Sequence, residues 1–399
     1  MTGPGEREGA EPAGGLRVRE LGEDDLEQAG ALGRLAFGGD PAAPLRPFRP
    51  GCRTWGVFEG DRLVAKAVLR DDAQWWGGRP VRMAGVAGVA VHPDARGRGA
   101  ARRLLRVLID QARLAGQPVS AMFPTSPGIY RTLGWEVGGA LEQTRLAVGD
   151  LRAVAAPPEV VLRSAGPQDT AVLARLWSEH GASTNGQLTR TGPCFPRGAL
   201  EVLEADVVTL AEVAGRPVGY VAYDRGRGYG PQAELQVHEL VADGPAATRA
   251  LLAALGGWDS VVDAVQWPGP TQDLALVLRR PVPPPHEARP WMLRVLDAPG
   301  AVAARGYPAG TTLDASFVLV DPEVPAHAGP WRLRVGDSSG CLERVPDRPG
   351  LPVLDVRGLG LLYAGVDEAR VRRAGLLDGP LPELAVAFAG PRPQLLDYF

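Results

Sequence analysis

The stretch Gly85-Val86-Ala87-Gly88-Val89-Ala90-Val91-His92-Pro93-Asp94-Ala95-Arg96-Gly97-Arg98-Gly99-Ala100-Ala101-Arg102 sets an apolar, small-residue run against a glycine-rich turn and the start of a charged helix. The run reads as a buried strand and Arg96-Gly97-Arg98-Gly99 as the turn. In the helix that follows, Leu104, Leu105, Leu108, Ile109 and Ala112 share one face, while Arg102, Arg103, Arg106, Asp110 and Arg113 share the other. That is the period of a surface helix covering a sheet. Gly116 ends it, Val119 to Phe123 reads as a second buried strand, and a short helix carrying Ile129, Tyr130 and Leu133 comes next. Strand, glycine turn, helix and strand form an α/β unit with its ligand at the turn. Main-chain N–H groups and the positive end of the helix dipole converge there, which suits a phosphate. The glycines let a pyrophosphate approach the backbone, and Arg96 and Arg98 can add charge-assisted bonds.

Outward from this unit, Leu16 to Val18 reads as a strand, Glu23 to Phe37 as a helix and the proline-rich Pro41 to Pro50 as a loop. Thr54 to Phe58 and Arg62 to Leu69 flank Glu59-Gly60-Asp61 as a hairpin, and a further strand covers Val81 to Val91. Ala153 to Pro158 has the composition of a linker. A second round of helix and strand patterns runs from Val160 to the prolines at 281–285. Beyond Trp291 the pattern turns to strands (Met292 to Val295, Ser316 to Val320, Trp331 to Val335), then to helical segments near Leu359 to Ala364 and Asp367 to Gly375, as in a separate α+β domain. A chain of 399 residues exceeds what one core usually supports. We therefore divide it into a leader over 1–15, domains over 16–152 and 153–288, and a C-terminal domain over 289–399.

With 45% hydrophobic and 22% charged residues and a net charge of −3, the composition is that of a globular protein with no long-range pull toward nucleic acid or an anionic membrane. Lys66 is the only lysine among 43 basic residues. Cys52, Cys194 and Cys341 are odd in number and far apart in sequence, which fits neither a disulfide framework nor a metal cluster. No metal is expected. The first fifteen residues lack an apolar signal region and no run approaches the ~20 apolar residues of a spanning helix, so the expected location is the cytoplasm.

The arrangement Arg96, Gly99, Ala101, directly after Val-Ala-Val-His-Pro, resembles the acetyl-CoA signature of the GNAT acetyltransferase superfamily. A dinucleotide-binding fingerprint competes poorly, because its third glycine falls on Arg102 and the segment follows several antiparallel-looking strands. Thr125-Ser126-Pro127-Gly128-Ile129-Tyr130-Arg131-Thr132-Leu133-Gly134-Trp135 looks more narrowly like a segment of the Eis (enhanced intracellular survival) acetyltransferases. Trp291 to Ala301, with Ala304-Arg305-Gly306-Tyr307 and the aromatic C-terminus Phe399, is similar to that family's terminal region. The resemblance implies a mixed α/β chain of two GNAT-like domains in tandem plus a sterol-carrier-protein-like α+β domain, assembled as a homohexamer. It implies acetyl-CoA as cosubstrate, held by Val89, Ala90, Val91, Arg96, Gly97, Arg98, Gly99, Ala100, Ala101 and Thr125. Tyr130 becomes the general acid and the Phe399 carboxylate the general base in direct transfer to a primary amine of a small cationic acceptor, aminoglycoside- or polyamine-like. The corresponding stretch of the middle domain, Leu240 to Arg249, lacks the arginine and the second glycine, and Pro245 removes an amide donor. One cofactor per chain follows.

Two other readings stand beside this one: acetylation of a protein or peptide amine, and a non-catalytic acyl-CoA- or lipid-binding protein. Taken alone, Tyr130 would be a packing residue and Phe399 a frayed tail; the neighbouring motif and the apolar ending Leu395-Leu396-Asp397-Tyr398-Phe399 favour the functional roles. His92 is read as a local hydrogen-bonding residue and Cys52 and Cys194 as isolated packing residues. Asp40, Glu136 and Asp397 are read as surface charges. Trp135 is expected to narrow the acceptor cleft.

Overall fold

The computed structural model of the protein describes residues 15–40, 42–228, 230–278 and 280–399. Apart from Gly15, the expected leader lies outside the described residues. The strands are β1 (Arg17–Glu20), β2 (Cys52–Glu59), β3 (Arg62–Trp76), β4 (Arg79–Val91), β5 (Val119–Met122), β6 (Glu136–Ala147), β7 (Val160–Ser164), β8 (Val207–Val213), β9 (Arg216–Asp224), β10 (Gly230–Ala242), β11 (Val262–Pro268), β12 (Glu287–Val295), β13 (Leu313–Val320), β14 (Gly329–Gly336), β15 (Ser339–Arg344), β16 (Val353–Asp355) and β17 (Leu377–Asp378). The first six helices are α1 (Leu26–Phe37), α2 (Ala100–Leu114), α3 (Pro127–Arg131), α4 (Val148–Arg152), α5 (Thr170–Ala182) and α6 (Pro245–Gly256).

One 12-stranded sheet runs in the order β1-β2-β3-β4-β5-β12-β6-β11-β10-β9-β8-β7. Its two halves repeat one plan: an antiparallel meander, a helical crossover through α2 or α6, and a parallel strand, β5 beside β4 and β11 beside β10. The halves meet where Gln143 to Ala147 of β6 pair with Ala264 to Pro268 of β11. A second sheet, β15-β14-β13-β16-β17, belongs to the C-terminal region. The strand containing Met292 to Val295, read from sequence with that region, hydrogen-bonds between β5 and β6 of the large sheet instead. Its apolar residues suit either sheet, so only long-range pairing decides which one it joins.

Alternating burial puts α1 on one face of the first half, against Leu21, Phe58, Leu63 and Ala90. On the other face α2 buries Leu104, Leu105, Leu108, Ile109 and Ala112, the five residues its periodicity selects. Each large apolar side chain so buried contributes roughly 1.5–3 kcal/mol. The C-terminal region does not keep a separate core. Trp76, Met83, Trp291 and Leu293 of the large sheet pack in one cluster with Phe317, Leu333 and Phe388. Fully buried Arg294 of β12 meets Asp321 at 3.0 Å, and His327 Nδ1 lies 2.9 Å from the same carboxylate. Among the described residues no helix is long and apolar enough to cross a membrane, and no group of three or more His, Cys, Asp or Glu is placed to hold a metal.

Candidate active site

The β4–β5 pair is short. Only Met83 to Gly85 meet Val119 to Ala121, so the rest of β4 keeps one edge open toward the space that β5 leaves. Between β3 and β4 the register slips from Lys66↔Ala90 to Val68↔Ala87, a bulge that Gly88 permits with φ +55°. The His92 N–H donates to Val64 O on the β3 side at 2.8 Å. Backbone alternation then turns the Val91 and Val89 amides to the open edge. Ala90 is different: it pairs with Lys66, and its side chain is buried against α1.

At the end of β4, Gly97 and Gly99 hold φ of +73° and +81°, which glycine adopts without strain. A Cβ at either would meet nothing within 4 Å, so the loop's concave side is clear backbone that closes directly onto the first turn of α2. A groove of about 380 Å³ is lined here by Val91, Arg96, Gly97, Gly99, Ala100 and Ala101, and on its far wall by Gly128, Ile129 and Thr132 of the α3 segment. The two sequence motifs thus form two walls of one groove. Its donors, dipole and clearance fit a diphosphate. Arg96 is exposed, its Nε 3.4 Å from Val91 O, whereas the Arg98 guanidinium is engaged by Glu59 and turned away. Thr125 is exposed in the loop before α3 and does not line the groove.

Tyr130 is 5% exposed among Ala95, Ala100, Leu104 and Trp135, and burial pushes its phenol up to about 12. The proton therefore stays on the oxygen throughout the neutral range. Trp135 does not border an acceptor cleft as the sequence suggests. It is 1% exposed, edge-on to Tyr130 with ring centroids 6.4 Å apart, and its indole N–H donates to Ser120 Oγ at 3.3 Å. The ring is large and apolar enough that the core behind Tyr130 claims it.

Phe399 enters the first half from the far end of the chain. Its ring lies 5.8 Å from that of Phe123, just past β5, and 4.8 Å from the Arg70 guanidinium on β3. It also lines a cavity of about 1010 Å³ under α1 and residues 38–40 and 43–49, whose floor is Lys66, Val68, Arg70, Ala87 and Gly88. The C-terminal residue and the β4 bulge therefore share one cleft.

Several isolated-looking residues have partners. Cys52 and Cys194, separated by 142 positions, have sulfurs 3.9 Å apart beside Arg70. The Cys194 hydrogen bond and, against burial, the Arg70 charge bring the Cys52 thiol down to about 7, while the same contact and burial push the Cys194 thiol up. At neutral pH Cys52 is therefore expected to alkylate faster than Cys194; mass spectrometry of partially labelled protein showing equal or reversed rates would contradict this. Glu136 and Asp397 are not surface charges. Glu136 pairs with Arg131 at 2.8 Å and Arg357 at 3.6 Å, and Asp397 with Arg190 at 3.0 Å. His92 keeps its local role, with Nδ1 2.6 Å from Asp94 and 2.8 Å from Arg62. Local sequence singles out none of Lys66, Arg70, Phe123 and Arg190 as site residues, although Lys66 carries a signal in being the only lysine.

A splayed parallel pair, a glycine cradle opening a helix and a buried phenol on the short helix whose Gly128 and Ile129 form the cradle's far wall are the frame of an acyl-CoA-dependent transferase. Residues 17–138 and 186–295 each match the acetyltransferase (GNAT) domain. An uncharacterized N-acetyltransferase of Streptomyces coelicolor is 30% identical, the match covering 88% of this chain and 92% of that one. The crystal structure of a GCN5-related N-acetyltransferase from Kribbella flavida is 35% identical, with a TM-score of 0.83 over 97% of this chain and 99% of that one. Eis1 from Mycobacterium abscessus shares the fold at 23% identity, with a TM-score of 0.73 over 96% of this chain and all (100%) of that one. The chain belongs to the GCN5-related N-acetyltransferase family and is a GNAT-type N-acetyltransferase with two GNAT domains in tandem.

Proposed function

We propose that the protein carries an acetyl group from acetyl-CoA directly to a primary amine in the first GNAT domain, as an Eis-like enzyme with one working cofactor site per chain. The observation that carries this reading is the shared groove of the Gly97–Ala101 loop and the Gly128–Thr132 segment, with protonated Tyr130 behind it. Acetyl-CoA supplies the activated thioester. Gly97, Gly99, Ala100 and Ala101 offer N–H groups to its diphosphate, with Arg96 as the available cation. The open-edge amides of Val89 and Val91 face the pantetheine arm and the carbonyl. Tyr130 gives its proton to the departing sulfur, and the Phe399 carboxylate takes the proton the amine loses. In the second half, α6 opens on Pro245 after Gly244, one donor fewer for a phosphate. The C-terminal region is assigned the sterol-carrier-like role, and a cytoplasmic homohexamer is the assembly the family likeness supports.

The charge of the cleft modifies the acceptor class. Arg34, Arg46, Arg49, Lys66 and Arg70 line it against Asp40 and the terminal carboxylate, and of the five cations only Arg70 is in an ion pair with a described acid, Asp72. Burial lowers the Lys66 pKa, so the four arginines are the standing positive charges of the cleft. A polycation entering there meets like charges, so a neutral amine or an amine bearing an acidic group is the better fit than an aminoglycoside or polyamine. Release of free coenzyme A, followed with a thiol reagent, tests both levels of the reading across polyamines, aminoglycosides, neutral amines, acid-bearing amines and peptides. No release with any amine would remove the small-molecule and peptide readings together. Turnover confined to polycations would remove the charge argument and restore the cationic acceptor.

A further inference from the structure

The second GNAT domain keeps the fold but has lost a phosphate donor, and its edge is occupied by this chain's own tail. Asn185 makes two of the contacts: its Nδ2 donates to Pro391 O at 3.2 Å and its carbonyl accepts from Gln394 N at 2.8 Å, while its Oδ1 is held from the other side by Gly77 N of the β3–β4 turn at 2.8 Å. Gln187 Oε1 accepts from Leu396 N at 3.2 Å. A Cβ on Gly186, where φ is +86°, would stand 2.8 Å from the Gln394 carbonyl oxygen, so tail and domain touch backbone to backbone.

The last tie is ionic. Arg190 Nε donates to Asp397 Oδ1 at 3.0 Å and Nη1 lies 2.6 Å from Glu239 Oε2. Tyr220 donates to the other oxygen of Glu239 at 2.5 Å. The guanidinium stacks 3.6 Å from the Trp177 ring centroid, and Glu239 is 2% exposed. Arg190 itself holds φ +52°, a left-handed conformation that is strained for a non-glycine residue and persists where surroundings over-determine it. Two residues beyond this fixed point is the terminal carboxylate, on a leash of about 7 Å. Phe123 receives both remaining rings, at 4.7 Å for Tyr398 and 5.8 Å for Phe399.

We propose that Arg190 is a positioning residue for the first domain's active site: by holding Asp397 it seats the Phe399 carboxylate, and docking this tail is what the second GNAT domain contributes to catalysis. The inference rests on the reading of Phe399 as the proton acceptor. A carboxylate released from the anchor samples water as well as the cleft, and displacement of a reacting group by about 1 Å already costs ~10²-fold.

Arg190→Gln in the full-length protein is expected to lower kcat about 10- to 100-fold with an unchanged KM for acetyl-CoA, and to speed release of Phe399 and Tyr398 by carboxypeptidase. Arg190→Lys, which keeps the charge but not the fork, should recover part of both effects. Asp397→Ala removes the acceptor and so cuts the same tie while leaving Arg190 paired with Glu239, and it serves if Arg190→Gln does not fold. A tail as protected as in the parent protein would overturn the anchor. A freed tail with undiminished kcat would instead overturn the role of Phe399, and with it the positioning role of Arg190.

Discussion

Tyr130→Phe is expected to reduce kcat by about 10²- to 10⁴-fold, the range a positioned general acid supplies. The change removes one oxygen from a ring that stays packed against Trp135 and Leu104, so affinity for acetyl-CoA, measured by calorimetry, should be nearly unaltered. With the phenol raised to about 12 by burial, the parent enzyme keeps this proton as pH rises through neutral and well beyond it. Ionisation of Tyr130 therefore sets no alkaline limb below about pH 12, and any limb nearer neutrality belongs to another group. The same raised value means that the stability contributed by burying the neutral phenol is intact below pH 10, the ordinary tyrosine value, and is lost as pH climbs toward about 12. A variant that turns over at the parent rate would end the assignment of Tyr130 as acid, leaving it a core residue.

Removal of Phe399 should be nearly as damaging, lowering kcat by roughly 10²-fold. Truncation shortens the tail by one residue, about 3.5 Å, and puts the new terminal carboxylate on Tyr398, outside the place where Arg70 and Phe123 receive the Phe399 ring. Two companions separate charge from packing. Chain ligation to a C-terminal amide keeps the ring and removes the negative charge; it should reproduce the loss. Phe399→Leu keeps the carboxylate and loses the ring contacts; it should retain most of the rate. If the amide were fully active, the proton acceptor would have to be sought elsewhere in the cleft, with Cys52 as the group whose ionisation lies nearest to neutral.

The parts of the site legible from sequence are those made by neighbours in the chain. Gly97 and Gly99 announce a left-handed turn because no other residue enters that region as cheaply, and the α2 stripe of Leu104, Leu105, Leu108, Ile109 and Ala112 follows from a period of 3.6 residues. Tyr130 could be singled out because its short helix carries a motif. Trp135 was misplaced because the motif says that a large ring stands there, not which side of the sheet has room for it. Cys52 and Cys194 read as strangers for the same reason: nothing within a few positions of either one points to the other.

By itself, then, the order of residues determined the strand-turn-helix unit, the backbone conformation of its glycines, the amphipathic helix behind it and the apolar character of the tail, since each depends on torsional preference and periodicity over a dozen residues or fewer. Only the tertiary structure decided that β12 enters the large sheet, that Asp397 finds Arg190 across 207 positions, and that five basic side chains gather around one cleft. Those are matters of which distant surfaces bury each other. Many pairings of apolar strands and opposite charges satisfy the same local rules, and the choice among them is made by packing the whole chain at once.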